Sequence, residues 1–147
     1  MSKSTFDTAE EAQLFHKGIE LFNDGEWFEA HEVWEDIWRM ASGNKKRFYQ
    51  GLIQCAVTIE HIHRGNPRGA VTVFESATSK FVNLPDLYMG INAKYVVSEI
   101  GKMIAAIRAL PKEMFDPRKG RGLDLPVDLN DAPKIKLEYD PFADETN

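Results

Sequence analysis

The residue types best suited to chemistry lie between Glu29 and Trp38, where a histidine and acidic side chains are interspersed with aromatic and aliphatic ones. His31 and Glu35 are four residues apart, so on an α-helix their side chains lie one above the other on one face. Glu32 adds a second carboxylate three residues before Glu35. Because an imidazole and a carboxylate in an aromatic setting can share a proton, His31 and Glu35 are our candidates for catalysis.

A second polar set follows at Gln50, Gln54 and His61, whose spacing again places them on one face of a helix. We expect this face to meet the first one inside a bundle, with Trp38 and Tyr49 as aromatic walls. The candidates for ligand binding are therefore eight residues: His31, Glu32, Glu35, Trp38, Tyr49, Gln50, Gln54 and His61.

Three interpretations of this polar set remain open. In the first, the side chains satisfy one another in a buried network, since an unpaired buried polar group costs roughly 1–3 kcal/mol. In the second, they anchor a small molecule in a pocket. In the third, His31, Glu35 and His61 bind a divalent metal such as zinc, iron or manganese. The segment Glu60–His63 matches half of a di-iron carboxylate site, but the second Glu-x-x-His is missing. No cofactor is strongly implied.

Composition excludes several other classes of protein. The net charge of -5 argues against a nucleic-acid partner, and no apolar run approaches the roughly 20 residues of a membrane-spanning helix. The only cysteine, Cys55, lies in an apolar helix and is expected to be an inert packing residue. A lone cysteine forms no internal disulfide, so we expect the cytoplasm, with an organelle stroma as the alternative.

Hydrophobic periodicity predicts an all-α fold, a compact bundle of about five helices. Thr8 and Glu11 have the spacing of a capping box at the start of the first helix. The sequence Gly65-Asn66-Pro67 predicts the end of one helix and the start of another, and residues 42–44 predict a break. The later helices are predicted over about Glu26–Met40, Lys45–Arg64, Pro67–Val82 and Asn92–Leu110.

The chain also contains an internal similarity at a shift of 40 residues, which aligns Gly25 with Gly65 and Ala30 with Ala70. It predicts two pseudo-repeated helical hairpins in the style of tetratricopeptide repeats. Five of the seven prolines lie in the last 37 residues, which excludes a long helix there. We therefore predict a helical bundle domain over residues 8–110 and an extended, proline-rich tail over 111–147, packed on or near the domain.

Three motifs occur in a fixed order: Phe28-Glu29-Ala30-His31-Glu32-x-x-Glu35-x-x-Trp38, then Tyr49-Gln50-Gly51-Leu52-Ile53-Gln54-x-Ala56, then His61 with Gly65-Asn66-x-x-Gly69-Ala70. Over about residues 12–82 the chain resembles a small all-helical family catalogued as domain of unknown function 309. The resemblance implies a compact helical bundle with hallmark residues at His31, Glu32, Glu35, Trp38, Gln50, Gln54 and His61. It implies no activity, substrate or cofactor.

Two classes of function follow from these observations. As an enzyme or ligand-binding protein, the chain would hold the His31 and Glu35 cluster in a pocket that solvent reaches. As a protein-interaction or self-association module, it would use its helical-hairpin surface and keep the cluster as sealed core. A metal-binding bundle is the third alternative.

Overall fold

The computed structural model describes residues 8–118 and 122–143, and it is an all-α protein, as predicted. Four helices follow one another with short turns, and a fifth comes after a two-stranded antiparallel hairpin of β1 (Leu87–Tyr88) and β2 (Ile91–Asn92). Two single-turn 3-10 helices, Lys112–Phe115 and Leu129–Asp131, lie in the C-terminal part. The five helices are α1 (Thr8–Asn23), α2 (Trp27–Met40), α3 (Gly43–His63), α4 (Pro67–Lys80) and α5 (Ala93–Arg108). Within the described part of the chain, none of them has the length and apolar character that crossing a bilayer requires.

Helix α3 is the centre of the bundle because it is apolar on most of its circumference. It packs most extensively against α4 and α2, which lie on two of its sides. Leu52, Ala56 and Ile59 are fully buried along its length. A helix with apolar residues on several sides can be stable only when neighbours cover each of those sides.

The α1–α2 and α3–α4 hairpins correspond at the predicted shift of 40 residues. Helices α2 and α4 have 14 residues each, and both connecting turns place a glycine in the left-handed conformation, Gly25 at a φ of 81° and Gly65 at 69°. In each turn the glycine N–H donates to the carbonyl three residues earlier, at 3.2 and 3.0 Å. The shift in sequence therefore corresponds to two similar backbone turns.

Several predicted helix ends differ from the structure by one or two residues, and one predicted cap has a different partner. Residues 42–44 were expected to form a break, but α3 begins at Gly43, whose φ of 63° lets the chain turn directly into the helix. Glu11 was expected to cap α1, but its carboxylate instead accepts a hydrogen bond from Tyr49 on α3. At the start of α4 the prediction is confirmed, because the Asn66 side chain accepts from the Gly69 N–H at 3.0 Å and Pro67 is the first helical residue.

The C-terminal segment crosses both hairpin turns. The Leu123 N–H donates to the Gly65 carbonyl at 3.1 Å, and the Asn23 side chain brackets Ile135, accepting from its N–H at 2.7 Å and donating to its carbonyl at 2.9 Å. Ile135 is thereby buried in the core, with 3% of its surface exposed. The described part of the predicted tail is packed on the bundle, whereas residues 119–121 and 144–147 lie outside the described residues. The division at residue 110 stays a prediction.

Candidate functional site

His31 lies on the outer side of α2, and one of its ring nitrogens forms a hydrogen bond with the backbone. Its Nδ1 is 2.5 Å from the carbonyl oxygen of Phe28. Since a carbonyl oxygen can only accept, Nδ1 must carry the hydrogen, which leaves the lone pair of the neutral ring on Nε2. That Nε2 lies 3.9 Å from a Glu35 carboxylate oxygen. The geometry therefore presents His31 as a proton acceptor beside a carboxylate.

Solvent reaches this pair. The His31 side chain is 17% exposed and that of Glu35 is 40% exposed, while Glu32 is exposed at the surface. Arg39 also approaches Glu35, with 3.7 Å between its guanidinium and the carboxylate. Ion pairs this exposed contribute little to stability. The cluster is therefore an open surface feature of α2, and its carboxylate is available to a ligand.

Three buried side-chain atoms have no hydrogen-bond partner among the described residues. Two are donors on α2, Nε1 of Trp27 and Nε1 of Trp38, and the third is an acceptor on α3, Oε1 of Gln54. The Lys46 ammonium lies 4.5 Å above the Trp38 ring and covers its outer face. Gln50 lies one turn before Gln54 and is half-buried. Helix α2 therefore carries unused donors and helix α3 an unused acceptor, on two helices that pack against each other.

His61 lies on the same α3 face as Gln54, but its side chain is held at the start of α4. Its Nδ1 is 3.3 Å from the amide nitrogen of Asn66, the residue that caps α4. A Cβ on Gly69 would lie 2.9 Å from that same ring nitrogen, so only a glycine leaves His61 this position without displacing it. His61 thus connects the predicted polar face of α3 to the start of α4.

Tyr49, predicted as an aromatic wall, is directed at α1 instead. It is fully buried, and its hydroxyl donates to a Glu11 carboxylate oxygen at 2.5 Å. Lys45 forms an ion pair with the same carboxylate at 2.9 Å. Burial raises the pKa of Tyr49 far above its ordinary range, and the hydrogen bond to Glu11 raises that pKa further. This neutral phenol ties α1 to α3.

The donor set fits a metal ion poorly. In the ranges 8–118 and 122–143 no group of three histidine, cysteine, aspartate or glutamate side chains could hold one, so His31, Glu35 and His61 are not gathered into a ligand set. Cys55 is buried, and burial raises the pKa of its thiol to about 12. A protonated, enclosed thiol is neither a metal ligand nor a nucleophile.

Two residues that border His31, Phe28 and Arg64, were not among the site candidates predicted from the sequence. The ring of Phe28 lies edge-on to His31, with 4.9 Å between ring centroids, and the Arg64 guanidinium lies 5.3 Å above the same ring. Arg64 also pairs with Glu60 at 2.5 Å. Both contacts could have been predicted from the sequence, because residues three or four apart are neighbours on a helix. Phe28 is three residues before His31, and Glu60 is four before Arg64.

All the site residues fall within one segment that is similar to known proteins. Residues 15–73 match the model of the domain of unknown function DUF309. The resemblance predicted from the three motifs is confirmed over this segment. The DUF309 match covers most of α1, all of α2 and α3 and the first half of α4. It leaves out α5 and the C-terminal segment.

The relatives of the DUF309 segment are themselves uncharacterised. A protein of Aquifex aeolicus is 31% identical over 91 residues, which is 61% of this chain and 27% of that protein. The Bacillus subtilis protein YpuF is 38% identical over 53 residues, or 35% of this chain and 30% of YpuF. The chain thus spans less than a third of either relative. The crystal structure of TTHA0068, a conserved hypothetical protein from Thermus thermophilus, aligns with a TM-score of 0.57 at 26% identity, covering 62% of this chain and 95% of that one. Residues 15–73 are thus similar to a domain of unknown function, and the two curated relatives of this chain are uncharacterised proteins.

Proposed function

We propose that the α2–α3 seam binds a small polar organic molecule, with His31 as the proton acceptor and Glu35 as the neighbouring carboxylate. The observation that carries this proposal is the pair of unsatisfied buried atoms, Nε1 of Trp38 and Oε1 of Gln54. Leaving such an atom unpaired costs roughly 1–3 kcal/mol. A ligand with one acceptor and one donor would satisfy both atoms at once.

The same unpaired atoms, the exposure of Glu35 and the position of Lys46 support a ligand site over a sealed structural network. In a sealed network the buried polar atoms would pair with one another, yet Nε1 of Trp38 and Oε1 of Gln54 have no partner in the described part of the chain. Glu35 retains 40% of its side-chain exposure, so it does not depend on His31 to compensate for burial. The Lys46 ammonium over Trp38 adds a positive charge at the same seam, which makes it suited to polar rather than purely apolar ligands.

A second candidate function is a protein-interaction or self-association module. It is favoured by Phe28, which is 41% exposed at the start of α2, and by Met40, which is 47% exposed at its end. Aromatic and methionine side chains are enriched in protein interfaces, and Phe28 is already stacked with Arg64. On this alternative, Phe28→Ser shifts sedimentation velocity towards the monomer, whereas on the ligand-site proposal it leaves the sedimentation coefficient unchanged.

The chemical setting of the protein is also a proposal. A single buried cysteine suits the reducing environment of the cytoplasm or of an organelle stroma. The net charge of -5 gives nucleic acid no attraction to the chain as a whole, so we propose a small molecule or a protein as the partner.

The double variant His31→Ala, Glu35→Gln tests the ligand-site proposal. Because both side chains are partly exposed, we expect the free energy of unfolding to change by less than about 1 kcal/mol. A thermal-shift screen with neutral amides, ureides and hydroxy acids should give stabilising compounds for the unaltered protein and none for the variant. His63→Ala with Glu29→Gln, both exposed, is the matched control and should retain every hit. A loss of several kcal/mol, with no compound bound by either protein, would show a structural network instead.

A further inference from the structure

We propose that the cleft between the start of helix α5 and the C-terminal segment binds a free amino acid with an apolar or aromatic side chain. Lys136 pairs with the carboxylate of this ligand, and Glu138 pairs with its ammonium group. The cleft lies outside the DUF309 segment and shares no residue with the α2–α3 seam, so it is separate from the ligand site proposed above.

The cleft has the size and the lining of a small-molecule site. Its volume is about 380 Å³, and pockets for small molecules generally range from roughly 300 to 1,000 Å³. On the side of β2 and α5 it is lined by Ile91 and Val96, which are almost fully buried, and by the half-exposed ring of Tyr95. The C-terminal segment lines the other side with charged side chains. A ligand with an apolar body and a charged head matches both sides.

The charged side of the cleft arises from an alternation in residues 134–138. Ile135 is buried in the core, whereas Lys134, Lys136 and Glu138 are exposed and line the cleft. Alternate residues of an extended segment point to the same side. Burial of Ile135 therefore directs the lysine on either side of it towards the cleft.

Backbone hydrogen bonds hold this segment on both sides of Lys136. Before it, the Asn23 side chain bonds both backbone groups of Ile135, at 2.7 and 2.9 Å. After it, the Glu138 N–H donates to the Gly90 carbonyl at 2.7 Å. Lys136 and Glu138 are thus positioned before any ligand arrives, which lowers the entropic cost of binding.

The two charges that would meet the ligand are unpaired. Within residues 8–118 and 122–143, the Lys136 ammonium and the Glu138 carboxylate form no ion pair or hydrogen bond, with each other or with a third group. Lys134 differs, because its ammonium donates to the Asn23 carbonyl at 2.8 Å. The cleft therefore offers one free cation and one free anion, and a zwitterion can form a charge-assisted hydrogen bond with each.

Glu138 makes a zwitterion a better ligand than a simple anion. A carboxylate without a positive group would be repelled by Glu138, and an amine without a carboxylate would be repelled by Lys136. Asn92 adds a donor for the carboxylate, because its side-chain oxygen accepts from the Tyr95 N–H at 3.0 Å and its amide nitrogen is left over. The side chain of the amino acid then packs on the apolar side of the cleft.

Titrations of the full-length protein, followed in ¹H–¹⁵N spectra, test the proposal with matched compounds. Phenylalanine and leucine carry both charges, hydrocinnamate and isocaproate lack the ammonium group, and phenethylamine and isoamylamine lack the carboxylate. We expect at least one of the two amino acids to shift the backbone amides of Asn92, Tyr95 and Lys136 saturably. Each of its analogues should bind about tenfold more weakly or worse. If neither amino acid shifted these amides, or if an analogue bound equally well, the proposal would be overturned.

The variant Lys136→Met removes the cation and keeps the length of the side chain. It should bind the amino acid about tenfold more weakly or worse, whereas Lys136→Arg should retain binding. Lys112→Met is the matched control, because Lys112 is an exposed lysine outside the cleft, and its affinity should be that of the unaltered protein. An unchanged affinity in Lys136→Met would contradict the assignment.

The variant Glu138→Gln gives a readout that a purely structural role would not change. Removing this carboxylate should abolish the preference for the amino acid over its analogue without the ammonium group. A preference that survived in Glu138→Gln would also overturn the proposal. The indole N–H of Trp38 should stay unmoved in all of these titrations, so a failure of this cleft and a failure of the α2–α3 seam are separate results.

Discussion

Gly18→Ala is expected to lower the free energy of unfolding by about 3 kcal/mol, through overpacking and a lost hydrogen bond. A Cβ at this position of α1 would enter the indole ring of Trp34. That ring is fully buried and donates through Nε1 to the Phe15 carbonyl at 3.2 Å, so it has neither space nor freedom to move away. Urea unfolding followed by far-UV circular dichroism measures the loss.

Gly101→Ala is the matched control for Gly18→Ala. Gly101 is also inside a helix, but among the described residues an added Cβ would meet only Phe74, at an ordinary contact distance of 3.5 Å. Alanine is the better helix former by roughly 0.5–1 kcal/mol, so this variant should be more stable than the unaltered protein. If both variants lost stability equally, helix α1 would not approach α2 through the Gly18–Trp34 contact that the structure shows.

Gly65→Ala should destabilise the protein by about 3 kcal/mol for two reasons that add. Its φ of 69° costs a non-glycine residue roughly 1–2 kcal/mol, and a Cβ would collide with the backbone of Leu123. The collision would displace the C-terminal segment, whose Gly122 and Leu123 N–H groups donate to the carbonyls of Arg64 and Gly65 at 3.2 and 3.1 Å. Each of these bonds contributes on the order of 1 kcal/mol.

Gly43→Ala separates the two causes. Gly43 has a similar φ of 63°, but no atom of residues 8–118 or 122–143 outside its immediate neighbours lies within 4 Å of an added Cβ. It should cost only the conformational penalty, about 1–2 kcal/mol. Hydrogen exchange of the Leu123 amide should be faster in Gly65→Ala and unchanged in Gly43→Ala. Equal losses of stability in the two variants would mean that the C-terminal segment adds nothing through this contact.

Local patterns in the sequence were sufficient to predict the helices and one of the turns between them. The helices came from apolar periodicity, and the α3–α4 turn came from Gly65-Asn66-Pro67, in which each residue has a strong conformational preference. Side-chain partners that depend on tertiary contacts were harder to predict from the sequence. Glu11 has the spacing of a cap, yet the buried Tyr49 hydroxyl takes its carboxylate. A buried phenol must find an acceptor, and that requirement is invisible in local sequence.

In the site, too, contacts within one helix could be predicted and contacts between distant segments could not. The His31 and Glu35 pair could be predicted because it lies within a single helix, where spacing determines geometry. Tyr49 could not be placed from α3 alone, since it is five residues before Gln54 and so about 140° away around the helix. The attachment of the C-terminal segment through Asn23 and Ile135 joins residues 112 positions apart, and no periodicity connects them.

The most direct test of the ligand site is the indole N–H spectrum of the three tryptophans. Trp34 is bonded to Phe15 and serves as an internal reference, and Trp27, whose Nε1 is also buried and unpaired among the described residues, reports non-specific effects. The unaltered protein and Gln54→Leu are titrated with a panel of carboxamides, ureides and hydroxy-carbonyl compounds. We predict that at least one compound shifts the Trp38 resonance alone, saturably, and that Gln54→Leu abolishes the shift. If every compound left Trp38 unmoved, or moved Trp27 equally, the seam between α2 and α3 would not be a binding site.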